Sequence, residues 1–274
     1  MGSFSIWHWL VVLTVVAVPV GAVLIAKRRR RSSDTRAFHD PTTLTRWPTI
    51  LLYGFFATSM AGFISSLFER HMLDAIQNGA FNSQMALVAA TQVSDNRQQA
   101  LSILYFIMLL TSGISILMWI YRANANARAL GATGMEYTPG WSVGWYFVPL
   151  FGLWKPFGAM REIWQTSRAP ANWRETPVPG ALRWWWFFWI ASNIMGQVSL
   201  KMSQNIHDIS DALAANTVNL ISSLTDIPLS LILIWIIRNV YRVQMLNYKT
   251  QADSSGVTLD GTTEVTQNSA SSLA

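Results

Sequence analysis

The sequence predicts an all-α integral membrane protein: two duplicated transmembrane helical hairpins, an N-terminal transmembrane anchor, and a re-entrant or interfacial cytoplasmic segment between the hairpins. Three observations carry that expectation. Of the 274 residues, 12% are charged and 51% hydrophobic, against roughly 25% charged in an average soluble domain, too few to cover a water-facing surface. Apolar runs long enough to cross a bilayer recur along the chain. Seventeen of the twenty Lys and Arg residues fall in three stretches, Lys27 to Arg46, Arg122 to Arg183 and Arg238 to Lys249, leaving only Arg70, Arg97 and Lys201 elsewhere. Because cytoplasmic loops retain Lys and Arg, those three stretches are expected inside.

Each element follows from local composition. Residues 1–31 read as an anchor: Ile6 to Ala26 is apolar and uncharged, and Lys27 to Arg31 stop it on the cytoplasmic side, the reverse of a signal peptide's order. Residues 32–46 form a polar cytoplasmic linker. The hairpin domain is expected over 47–250, with spans at about 48–67, 100–121, 184–200 and 220–237. Pro48 stands at the expected first helical position of its span, where a missing N–H is harmless. Between Phe68 and Gln99 the apolar spacing suggests amphipathic helix on or beyond the outer face, and Asp95 with Gln98 resembles a capping box opening the next span. The tail, 251–274, has almost no large apolar residues and is expected to be disordered.

The hairpins look related. At an offset of 134 residues Ala57, Thr58, Gly62, Ser65 and Asp74 align with Ala191, Ser192, Gly196, Ser199 and Asp208. At an offset of 116, Trp119 and Arg122 with their apolar neighbours align with Trp235 and Arg238. Both hairpins run out and back, so the repeat is parallel. Thr58/Gly62 and Ser192/Gly196 have the small-residue spacing that lets helices approach closely in lipid.

The segment at 139–168 is the most distinctive. Trp141 to Trp154 is apolar but too short to cross and is broken by Gly144, Pro149 and Gly152, so it is expected to dip into the inner leaflet and return. Pro156 can open a following helix with Phe157, Met160, Ile163 and Trp164 on one face and Arg161, Glu162 and Arg168 elsewhere, an interfacial amphipathic helix. Twelve of fourteen tryptophans lie here or at the expected inner boundary. They read either as an aromatic belt at headgroup depth or as a cluster lining a site for an apolar or cationic group. On the second reading the ligand- or partner-binding residues are Trp141, Trp145, Trp154, Lys155, Arg161 and Trp164.

The run Thr138-Pro-Gly-Trp141, Gly144-Trp-Tyr-Phe-Val-Pro149, Leu153-Trp-Lys-Pro156 and Met160-Arg-Glu-Ile-Trp164 resembles a bacterial membrane family known only as a domain of unknown function. The resemblance extends over about Trp47 to Lys249 and leaves the first span as an addition. An Asn commonly precedes the family's Leu-Trp-Lys-Pro element; this chain has Gly152 there. The resemblance implies the bacterial cytoplasmic membrane and brings no catalytic residue; the charge distribution over five spans places the N-terminus outside and the C-terminus in the cytoplasm.

Little in the sequence names a reaction. The absence of cysteine excludes disulfides, thiolate metal sites and Cys nucleophiles. No phosphate loop or hydrolase motif is present. The net charge of +6 fits anionic inner-leaflet lipid rather than nucleic acid, because the basic residues flank spans. Asp226 is the one acid well inside a span: it either carries a proton or cation, or caps a helix restarting at Ile227-Pro228, the reading the neighbouring Ser222, Ser223 and Thr225 favour. Glu69, His71 and Asp74 in one outer connection, with His207, Asp208 and Asp211 in the other, could converge on a metal only without a known ligand spacing, so neither metal nor cofactor is expected. The sequence therefore points to a membrane component that binds the bilayer and a membrane or cytoplasmic protein partner, or an apolar ligand. A small proton- or cation-coupled transporter is the alternative, and a lipid-modifying enzyme comes third.

Overall fold

A computed structural model describes residues 37–254 of the chain. The expected anchor at 1–31 and the tail beyond Ser254 lie outside these residues. Within them all regular structure is helical. Two long helices, α1 (Thr42–Gln77) and α2 (Gln84–Ala129), are followed by the very short α3 (Trp141–Gly144). Then come α4 (Lys155–Arg168), α5 (Gly180–Ser203) and α6 (Ile209–Ser254).

The turns that make hairpins are written locally. α1 stops because Gly79 adopts φ 67°, which lets the Ala80 amide reach the Ala75 carbonyl and the Gly79 amide that of Ile76, a glycine-dependent helix stop. Ser83 then starts α2 by accepting from the Ala86 amide, satisfying one of the donors a helix start leaves open. α2 ends in the same way at Gly131, φ 97°, with Ala132 bonded back to Ala127.

α1 packs along α2 and along α6, and α5 packs along α6, so α6 is the element shared by both halves. The α1–α6 seam carries small polar residues: Thr58, Ser59, Ser65 and Ser66 are buried. A Cβ on Gly62 would lie 3.4 Å from Ser223 Oγ, the close approach expected of this spacing in lipid. No atom lies within 4 Å of the corresponding position on Gly196, so the second small-residue pair does not make such an approach. The apolar core sits at the end of the molecule where the basic residues gather, around Trp119, Ile120, Ile163, Trp185, Ile236 and Ile237.

Three helices, α1, α2 and α6, are long and apolar enough to cross a membrane. α5, the fourth expected span, has 24 residues, about 36 Å of helix, yet Asn193, Gln197 and its four tryptophans keep its mean hydropathy below that of the other three. The helices also outrun the expected spans at both ends. Helix continues into polar sequence once an apolar stretch has nucleated it. Pro48 consequently lies inside α1 rather than at its start. Asp95 lies inside α2, exposed, and caps nothing.

Two further expectations are corrected. α6 passes through Asp226 and Pro228 without a break, so Asp226 does not cap a restarting helix. α4 does not lie on the surface with its polar face outward: Ala159, Met160, Ile163 and Trp164 are buried, and so are Glu162, Gln165, Thr166 and Ser167. Only Arg161 on its charged side faces out. The cause is that α2, α6 and the chain around Tyr137 enclose α4 from several sides.

Candidate functional site

Polar side chains on α6 meet the rest of the bundle at three heights. At the far end, Asn216 Nδ2 donates to the Ser66 carbonyl and to Glu69 Oε2, both at 2.9 Å, while Gln98 Nε2 donates to the same Glu69 oxygen at 2.6 Å. In the middle, Asp226 is 1% exposed and accepts from Tyr105 Oη of α2 at 2.9 Å and from Ser192 Oγ of α5 at 2.5 Å. At the basic end, Gln244 Nε2 donates to the Ala123 carbonyl of α2 and to Ser167 Oγ of α4, both at 2.9 Å. Buried polar groups persist mostly when paired, and each of these side chains is bonded to at least one other helix.

The basic end continues as a dense polar base. Asn124 and Asn126, alternating with alanines in Ala123-Asn-Ala-Asn-Ala127, are wholly buried. Asn124 donates to the Tyr137 carbonyl at 2.9 Å, and Asn126 donates to the His39 carbonyl at 2.8 Å. Glu162 is 3% exposed; its two oxygens accept the Glu136 amide at 2.7 Å and the Tyr137 amide at 3.1 Å. Burial pushes its carboxyl above the ordinary glutamate value, opposed by those two amides and by Arg128. Gly158 admits the Tyr137 ring, which would collide with any Cβ there.

On this base stands an aromatic ridge. Trp141 and Trp145 ring centroids are 4.7 Å apart, Trp145 and Phe151 5.3 Å, and Phe151 and Trp154 5.3 Å. Trp141 and Trp154 are each about half exposed, at 53% and 51%. The backbone between them is one turn of α3 and two 3₁₀ turns, 145–147 and 151–153, none long enough to cross a bilayer. At its tip Leu150 is 73% exposed and held at φ 65°, a conformation that strains a residue with a Cβ.

The residues singled out in the sequence thus separate. Trp141, Trp145 and Trp154 form the ridge. Lys155 lies at its foot, paired with Glu136 Oε1 at 2.9 Å and 5.4 and 5.7 Å from the Tyr137 and Trp145 ring centroids, so the cation facing these rings comes from the chain itself. Arg161 is exposed. Trp164 is 2% exposed, stacked on Trp235 with centroids 5.4 Å apart and covered by the Arg168 guanidinium at 3.6 Å; it belongs to the base. Asp226 stands apart, in the helical bundle.

Sequence reasoning missed Asp226's partners, Tyr105 and Ser192, and the buried Glu162 and Gln244. The alternating Asn-Ala-Asn-Ala run was the one local sign of a polar core. The six outer-end acids and histidines do not assemble: among the described residues no group of three or more metal-ligating side chains forms. Asp74 instead lies 3.4 Å from Arg70, and Asp211 accepts the His207 amide at 3.0 Å.

Comparison with known families gives one match over residues 82–242, to a model described as a domain of unknown function, DUF4328. It is narrower than the resemblance read from Trp47 to Lys249 and leaves α1 outside. No curated protein and no solved structure matches the chain.

The Glu162 clasp yields a stability prediction. Glu162→Ala leaves two amides without acceptors and lowers unfolding stability in detergent by roughly 1–3 kcal/mol for each. Because the folded carboxyl is raised, Glu162's own contribution is full below the unfolded value of about 4.3 and declines as pH rises through the folded value. Thermal melts across that window show this decline in the unmodified protein and its loss in Glu162→Gln.

Proposed function

The chain belongs to the DUF4328 family, a domain without assigned activity, and on that premise we propose that it is a non-enzymatic multi-pass component of the bacterial inner membrane that docks a partner protein on its aromatic ridge. The observation that carries this reading is the ridge of Trp141, Trp145, Phe151 and Trp154, fixed in place with Trp141, Phe151 and Trp154 exposed and Trp145 half-buried between them. A belt of indoles at headgroup depth requires only amphipathic rings. Here the rings touch one another in sequence, and the tip bears backbone strain at Leu150 that costs about 1–3 kcal/mol. Aromatic clusters presented on a rigid base are the usual anchors of binding surfaces, with Lys155 and exposed Arg161 as the polar rim.

In this reading the ridge faces the cytoplasm, consistent with the Lys and Arg distribution, and the two hairpins descend from one duplicated unit. The aligned serines support the duplication. Ser65 accepts from Arg97 of α2 at 2.8 Å and Ser199 donates to Asn219 of α6 at 2.6 Å, so each ties its helix to the other arm of its own hairpin.

One observation favours a second reading, proton- or cation-coupled transport: Asp226, an acid buried in a span and shared by three helices, as expected of an intramembrane relay. Flux through proteoliposomes discriminates. The transport reading requires a proton- or cation-coupled flux that Asp226→Asn abolishes; docking requires none.

Crosslinking in native membranes followed by mass spectrometry tests the docking reading itself. The unmodified chain is expected to retain a stoichiometric partner protein. The triple variant Trp141→Ala, Trp145→Ala, Trp154→Ala is expected to lose it while staying folded. Equal retention by that variant, or only lipid adducts on the unmodified chain, contradicts the proposal.

A further inference from the structure

A groove of about 660 Å³ runs between α1 and α6 at the basic end. Arg46 comes from α1, Arg238 and Arg242 from successive turns of α6, and Lys249 from two turns further on. No carboxylate lines the groove, and none lies within ion-pair distance of these four cations among the described residues. Four like charges repel one another and gain when an anion enters. Thr45 also lines the groove; it is 6% exposed, and its Oγ1 is buried with no hydrogen-bond partner. An orphaned hydroxyl of this kind calls for an explanation, and a ligand oxygen in the groove supplies one.

The same groove has an apolar side. Ile50 and Tyr53 line it on the side nearer the apolar spans and are each about half exposed. Ile50 and Tyr53 lie on the stretch of α1 that leads into its apolar span. A soluble polyanion would leave that wall in water. A diacyl lipid would cover it, because its phosphate lies at headgroup depth and its chains run along the helices.

We propose that this α1–α6 groove is a specific site for one anionic phospholipid, with the phosphate held by Arg46, Arg238, Arg242 and the Thr45 hydroxyl and an acyl chain laid on Ile50 and Tyr53. Lys249 lies at the aqueous rim and reads further negative charge on the headgroup. The site rests on α1 and α6 crossing the membrane and is independent of what docks on the aromatic ridge.

Native mass spectrometry of the full-length protein in detergent tests it, titrated in parallel with phosphatidylglycerol, phosphatidylcholine and inorganic phosphate. One phosphatidylglycerol is expected to stay bound where phosphatidylcholine does not. Arg238→Gln with Arg242→Gln is expected to weaken retention about 30-fold, from the usual contribution of two interfacial cations, and the matching Arg→Lys pair to restore most of it. Lys249→Gln, on an exposed side chain, is expected to weaken it about fivefold without disturbing packing. Equal retention of both lipids, or unchanged retention in the double Gln variant and in Lys249→Gln, overturns the site. Displacement of phosphatidylglycerol by equimolar inorganic phosphate overturns the lipid assignment.

Discussion

The fold depends on three buried polar side chains of α6 being answered by other helices. Asn216, Asp226 and Gln244 lie 10 and 18 residues apart, about 15 and 27 Å along the axis. They reach α1, α2 with α5, and α2 with α4 respectively. In hydrocarbon, apolar faces gain little by meeting one another, since lipid tails are as apolar as leucine. Unpaired amides and carboxyls there cost several kcal/mol. Register between helices therefore comes from these rungs and from the small residues between them, with Gly62 letting α1 close on Ser223.

The same constraint shapes the basic end. A connection of some fifty residues between α2 and α5 has to satisfy its own backbone, and it does so by enclosing α4. Glu162 takes two amides, Asn124 and Arg128 take the Tyr137 carbonyl, and Gln165 donates to the Thr176 carbonyl. A base satisfied in this way can hold a strained tip at Leu150 and keep large rings exposed. It also fixes the end of α2 against α6, leaving the opposite flank of α6 to share a cationic groove with α1.

Much of the helical class was legible because its main signal, the long apolar runs, is local. Helix ends were less so: the helix expected between Phe68 and Gln99 is there, but as continuations of α1 to Gln77 and of α2 from Gln84. Asp226 was visible as a lone acid, but its partners lie 121 and 34 residues away, and no spacing announces them. The apolar period of α4 was real, yet Glu162 was assigned outward because the amides that bury it belong to a loop 25 residues earlier. The cationic groove is the clearest case of what a linear reading misses. Arg46 and Arg238 each read as flanking charges, and only the α1–α6 packing makes them neighbours.

The central claim, that α6 closes on α1 within the membrane and so joins the two halves into one bundle, is open to a direct measurement because the chain has no cysteine of its own. Cysteines placed at Gly62 and Ser223, where a Cβ at 62 would lie 3.4 Å from the Ser223 Oγ, are predicted to form a disulfide rapidly and nearly completely on mild oxidation in native membranes, within one chain. A pair at Gly196 and Ser223 serves as the comparison, since Gly196 has no neighbour within 4 Å. If the Gly62 pair stays reduced, or links only between chains, the two halves are not held by α6 and the account fails.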